Sequence, residues 1–175
     1  GADEARGFFG TTGAGVKVCV LSDGVDSLAA LQTSGDLPPV VDVLPGQAGS
    51  GDEGSAMLEI VHDLAPGAAL GFATADPDEA TFAQNILDLA ADGCNIIVDD
   101  IIYLDESPFE DGPVAQAVNT VTSGGVLYFS SAGNEGNLDD GTSGMWEGDF
   151  KPNGTPAALA GGGLAHDFGD GGQSI

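Results

Sequence analysis

Short apolar runs alternate along this chain with amphipathic stretches of helical length, and that alternation leaves few folds open. Residues 16–22, Val-Lys-Val-Cys-Val-Leu-Ser, are apolar on both faces, as a strand in a sheet covered from both sides must be. Residues 39–44, 69–74, 95–99 and 125–129 read as four further strands. Helices are expected over residues 27–32, 53–64, 78–91 and 111–123. In the second of these, Ala56, Met57, Ile60, Val61 and Leu64 recur at helical spacing, with Asp52 as N-cap. Phe82, Ile86 and Leu89 mark one face of the third, which ends at Gly93. The pair Gly124-Gly125 stops the fourth. Strands alternating with helices imply right-handed crossovers and a parallel sheet. The expected fold class is therefore α/β, three layers, with a mostly parallel central sheet and helices on both faces.

The core is expected within about residues 14–136. Residues 137–175 are rich in Gly and Asp, with sparse apolar periodicity, and read as loops with one more strand near 157–160. Both termini read as boundaries inside a larger polypeptide. The 175 residues are thus expected to form the amino-terminal part of one domain that the remainder completes.

Functional sites of open parallel sheets lie at the carboxyl ends of the strands. Ser22-Asp23, Asp99-Asp100 and Ser130 to Asn134 all fall at such ends, and Glu53 opens a helix at the same edge. Four separate segments therefore converge by topology alone.

Charge excludes several partners. Twenty-eight acidic residues against three basic ones give a formal charge of -25. Nucleic acid and anionic membrane surfaces are recognised through Lys and Arg, so neither is an expected partner. Such acidity suits a secreted protein, a high-salt habitat or the binding of divalent cations. No run of about 18 apolar residues is present, so no membrane-spanning segment is expected. The carboxylates are abundant enough to ligate calcium, yet no loop has the ligand spacing of an EF-hand, and no cofactor or metal is assigned. Cys19 and Cys94 each sit in or beside an apolar strand, compatible with free core thiols or with a disulfide. The glycines between Gly7 and Gly15 precede a strand instead of joining a strand to a helix, and so fail the context test for a dinucleotide fingerprint.

The residues at the carboxyl edge carry a resemblance. Ser130-Ser131-Ala132-Gly133-Asn134-Glu135-Gly136 follows an apolar strand. Residues 16–26 end in Ser22-Asp23-Gly24-Val25-Asp26. Asp52-Glu53-Gly54-Ser55-Ala56-Met57 opens a helix that closes in Leu64-Ala65-Pro66-Gly67-Ala68. Together, and in this order, these motifs resemble the subtilase superfamily, which includes subtilisins and sedolisins. The resemblance spans residues 16–136 and implies a subtilisin-like α/β fold. It implies catalytic roles for Asp23 and for Glu53, which stands where subtilisins have His, as in sedolisins. It implies that Asn134 donates its side-chain amide to the oxyanion. The chain departs from the pattern in three ways. Ser22 takes the place where the family's Asp directly follows the strand. Met57 stands where sedolisins carry an Asp one turn after their Glu. No Gly-Thr-Ser-x-x-x-Pro segment opens a helix, and Gly141-Thr142-Ser143, followed by Gly144-Met145-Trp146, reads as a loop.

The implied function is a secreted or cell-surface serine-type endopeptidase that hydrolyses polypeptides through an acyl-enzyme, with its nucleophilic Ser outside these residues. This chain alone is then expected to be inactive. Two neighbouring carboxylates share one proton more readily than each holds its own charge, so the implied optimum is acidic. Two other classes remain open: a catalytically inactive subtilase-like module that binds polypeptide, and an acidic cation- or ligand-binding α/β domain. Asp99 and Asp100 receive no role. His62, His166 and Asp26 read as structural.

Overall fold

The structure, a computed structural model, describes residues 1–103, 106, 110–134, 136, 151–156 and 164–166. Two compact units divide the chain, Gly1–Gly133 and Asn134–Ile175.

The first unit is built on a five-stranded sheet in which every pairing is parallel. Strand β1 (Lys17–Ser22) lies at its centre between β3 (Ala69–Thr74) and β4 (Ile96–Asp99). Strand β2 (Asp42–Val43) flanks β3, and β5 (Leu127–Ser130) flanks β4. The order β2-β3-β1-β4-β5 reverses direction at β1, so a topological switch point opens between the carboxyl ends of β1 and β4.

Strand alternation assigns the two layers of helices. Val18 and Val20 point to one face, where Val25, Leu37, Leu58, Leu70 and Phe72 form a core with α2 (Leu28–Ser34) and α3 (Glu53–Leu64). Cys19 and Leu21 point to the other face. There Phe82, Ile86, Leu89, Ile97, Ala117 and Val121 pack α4 (Glu79–Ala91) and α5 (Pro113–Ser123) on the sheet. The three-layer α/β architecture is the expected one.

The bounds of α3 and β3 fall where apolar spacing places them. Strand β2 is shorter than the expected 39–44, because Pro39 has no amide hydrogen to give to a ladder and only Asp42 and Val43 pair with β3. An additional helix, α1 (Ala2–Phe9), precedes the sheet. None of its residues is buried, so it offers no apolar stripe to read, and Phe8 and Phe9 are both exposed. Arg6 ties it down by donating to the Asp63 and Leu64 carbonyls at the end of α3, 2.9 Å each.

Cys19 and Cys94 are joined as a disulfide between the middle of β1 and the turn before β4, 75 residues apart in sequence. Both are buried. Closing a loop of that length in the unfolded chain stabilises the fold by about 4 kcal/mol in the chain-entropy account. At the amino edge of the sheet, Lys17 reaches Asp42 at 2.8 Å and Asp92 at 2.6 Å, joining β1 to β2 and to the end of α4.

The second unit contains an antiparallel pair, β6 (Pro152–Pro156) and β7 (Leu164–His166), where loops were expected. The strand expected near 157–160, and Ser143, lie outside the described residues.

Candidate functional site

Two polar regions occupy the carboxyl edge of the first unit, one on each side of β1. The first gathers around Asp23. Its Oδ1 accepts the Gly54 amide at 3.1 Å as well as the Gly24 amide. Gly54 is the second residue of α3, so Asp23 supplies a carboxylate to the positive end of that helix. The close fit requires glycine at Gly51, with φ of +117°: a Cβ there would lie 1.9 Å from Asp23 Oδ2. The 46–51 loop is stitched to the same strand end. Thr74 donates its hydroxyl to the Asp23 carbonyl at 2.8 Å, Ser50 gives its amide to that carbonyl, and Asp26 exchanges two hydrogen bonds with Gly51. Asp52 accepts from the Ser27 amide at 2.7 Å, the Ser27 hydroxyl at 2.8 Å and the Ser55 hydroxyl at 3.0 Å. The Ser27 bonds hold the Asp52 carboxyl below its ordinary range. It caps by linking α2 to α3, and no side-chain bond to the α3 amides is made.

Glu53 stands at the first position of α3 and is exposed. The fold therefore brings two of the expected site residues to one place: Asp23 bonds the amide of the residue that follows Glu53. The contact runs to helix backbone. Asn134, the third expected site residue, is exposed and is the first residue of the second unit. His62 lies in the third turn of α3, and its Nδ1 is buried without a partner among the described residues.

The second region is built by Asp99 and Asp100, which strand alternation sends to opposite faces of the sheet. Asp100 faces the α3 side and accepts the Ser22 hydroxyl at 3.1 Å across the switch point. Its other oxygen, Oδ1, is buried without a partner. Asp99 faces the α4–α5 side, is 4% exposed, and accepts the Ser130 hydroxyl at 2.8 Å and the Ile101 amide at 3.2 Å. Burial pushes its carboxyl up, and the Asp100 charge adds to that; the Tyr128 and Ser130 hydroxyls and the Ile101 amide only partly offset it.

Beyond Asp99 opens a cleft of about 710 Å³. Among the described residues, α4 contributes Phe82, α5 contributes Val114 and Val118, and the strand ends contribute Asp99, Tyr128 and Ser130. Ile101, Tyr103 and the backbone from Ser131 to Gly133 complete the walls, with Glu106, Glu110 and Asp111 at the α5 end. Tyr103 donates to the Ala75 carbonyl at 2.6 Å, and burial with the nearby Asp76 and Asp78 charges pushes its hydroxyl up to about 12. The Tyr128 hydroxyl is buried outside hydrogen-bonding geometry to any described group. Burial raises its pKa, and so does the Asp99 charge.

Neither Tyr128 nor Ser22 stands out in the sequence as a site residue. The available signal was parity. In register, Ile97 pairs with Tyr128 and Asp99 with Ser130, so two polar groups of β5 share a face with Asp99. The chain matches no model of a known protein family, and no curated protein matches it.

Proposed function

We propose that this chain is part of a secreted or cell-surface serine-type endopeptidase of the subtilisin/sedolisin type that acts on polypeptides. The observation that carries the reading is the junction of Asp23 with the start of α3, 3.1 Å from carboxylate to the Gly54 amide, at the carboxyl edge beside the switch point. It joins two motif positions thirty residues apart in the arrangement a catalytic pair needs, with Glu53 exposed to an incoming group. In this reading Glu53 takes the proton of a nucleophilic Ser that no motif of these 175 residues supplies. The Ser oxygen bonds the scissile carbonyl carbon, the carbon–nitrogen bond breaks, and the proton passes to the leaving amine. Water then releases the acyl group. Asp23 is a positioning residue, because it holds the helix that presents Glu53. Asn134 receives its oxyanion role from its motif alone. The Cys19–Cys94 disulfide favours an oxidising compartment, in line with secretion.

One observation favours a second reading. The Asp23 oxygen that would orient a base is already taken by two backbone amides. A polypeptide-binding module that has lost catalysis would retain that helix cap and need nothing from Glu53.

Fluorophosphonate labelling of the natural polypeptide at acidic and neutral pH, mapped by mass spectrometry, separates the two. A label on one Ser, lost in Glu53→Gln, is the expected result. Absence of label at every pH rejects the peptidase and leaves the binding module.

A further inference from the structure

We propose that the cleft between α4, α5 and the ends of β4 and β5 receives a long basic side chain, lysine or arginine, of an extended polypeptide; this rests on the polypeptide-substrate reading and names the residue that site prefers. The shape of the cleft carries the first part of the argument. Its volume of about 710 Å³ exceeds any single side chain, and Phe82, Ile101, Val114 and Val118 give it apolar walls. Walls of that kind cover the methylene stem of Lys or Arg while the charged head continues to a polar end. A hydrated divalent ion would leave them unused, since it seeks oxygen ligands on all sides.

The floor carries the second part. Asp99 is buried, and no cationic side chain of the first unit is beside it. The two that unit contains are engaged at the opposite edge of the sheet: Arg6 with the end of α3, and Lys17 with Asp42 and Asp92. A buried carboxylate without a counter-charge is unfavourable, and an arriving cation removes that cost. The Tyr128 hydroxyl adds an independent pointer. It lines the same cleft, buried and unpartnered, with lone pairs available to a donor. An ammonium has three hydrogens to give, and Asp99, Tyr128 and Ser130 together offer three acceptor groups. Glu106 and Glu110 give the approach the same sign of charge. A neutral apolar side chain would fit the walls and leave the Asp99 charge shut away from water.

Titration of the chain with N-acetyl-lysine methylamide and with N-acetyl-norleucine methylamide tests this. The two ligands share a stem and differ in the ammonium group. Binding is read from the methyl resonances of Ile101, Val114 and Val118. Lysine is expected to bind at least about tenfold more tightly than norleucine, the usual scale for a hydrogen bond to a charged group. Asp99→Asn is expected to bring the two within about twofold of each other, and Val118→Phe, which fills the cleft, to abolish both. Equal affinities in the unaltered chain overturn the proposal, whether or not either variant folds. So does lysine binding that leaves those methyl groups unmoved, or a preference that survives Asp99→Asn. Because the readout is binding without turnover, failure of fluorophosphonate labelling does not touch this result. Labelling without a lysine preference rejects the cleft proposal alone.

Discussion

Asp23 and Asp99 end neighbouring stretches of the same sheet, yet their surroundings are opposite. Asp23 is met by two backbone amides and a close-fitting Gly51, so its carboxylate is a structural part of the α2–α3 layer. Asp99 opens onto a cleft, with a tyrosine hydroxyl beside it that has no partner and a carboxyl pushed up by burial. One region has its polar groups satisfied by its own chain. The other holds polar groups that its own chain does not satisfy, the usual condition of a surface kept for a ligand. The contrast relocates interest from the residues that motif matching selects to a pair of residues it passes over.

The largest test of the contrast is at Gly51. Gly51→Ala places a Cβ against Asp23 Oδ2 at a φ that L-residues rarely adopt, and is expected to cost about 3 kcal/mol by urea denaturation. Gly125→Ala is the control, at a φ of +97° but with open space around the Cβ, and is expected to cost about 1 kcal/mol. Equal losses would mean that the Asp23 carboxylate yields freely and is not fixed by its surroundings.

Next in size is the pH dependence of Asp99. A carboxyl whose pKa is higher folded than unfolded binds more protons in the native state between the two values. Its contribution to stability is therefore greatest at low pH and is lost as pH rises from the unfolded pKa of about 4 through the folded value. Asp99→Asn is expected to flatten that fall and to leave the protein at least as stable at pH 7, as measured by denaturation from pH 4 to 7. Asp52 and Asp78 have the opposite sign, their carboxyls held low by hydrogen bonds from Ser27 and Thr81, so their stabilisation is present above about pH 4 and lost on acidification. A steeper fall in Asp99→Asn than in the unaltered chain would place the destabilising charge elsewhere.

Much of this architecture could be read before the structure, because it depends on apolar period. The bounds of α3 and β3 follow from Leu58, Val61 and Leu70 facing the core, and the Asp-Asp pair at the end of β4 was visible as unusual. Helix α1 was not readable, since none of its side chains is buried and it is held by Arg6 reaching two carbonyls nearly sixty residues away. The disulfide was left open because spacing alone does not show that β1 and the turn before β4 are adjacent. The cleft was missed for a related reason. Tyr128 reads as one more apolar strand residue, and its hydroxyl acquires meaning only when the register sets it next to Ile97 with Asp99 two residues on.

The smallest effect is the most discriminating, and it compares two tyrosines of one cleft. Tyr103→Phe removes the 2.6 Å hydrogen bond to the Ala75 carbonyl and leaves that acceptor unpaired, which costs about 1 kcal/mol. Tyr128→Phe removes a buried hydroxyl that has no partner, so no bond is lost and a desolvation penalty disappears. Its expected effect on stability is zero or favourable by a few tenths of a kcal/mol, read from paired urea denaturations. A residue whose polar atom costs stability is retained for something other than stability, and the basic-ligand titration shows what. Tyr128→Phe should then weaken lysine binding while the fold becomes no weaker. Should it instead destabilise the chain as much as Tyr103→Phe does, the hydroxyl has a structural partner, and the difference between the two regions of the edge narrows to the two aspartates.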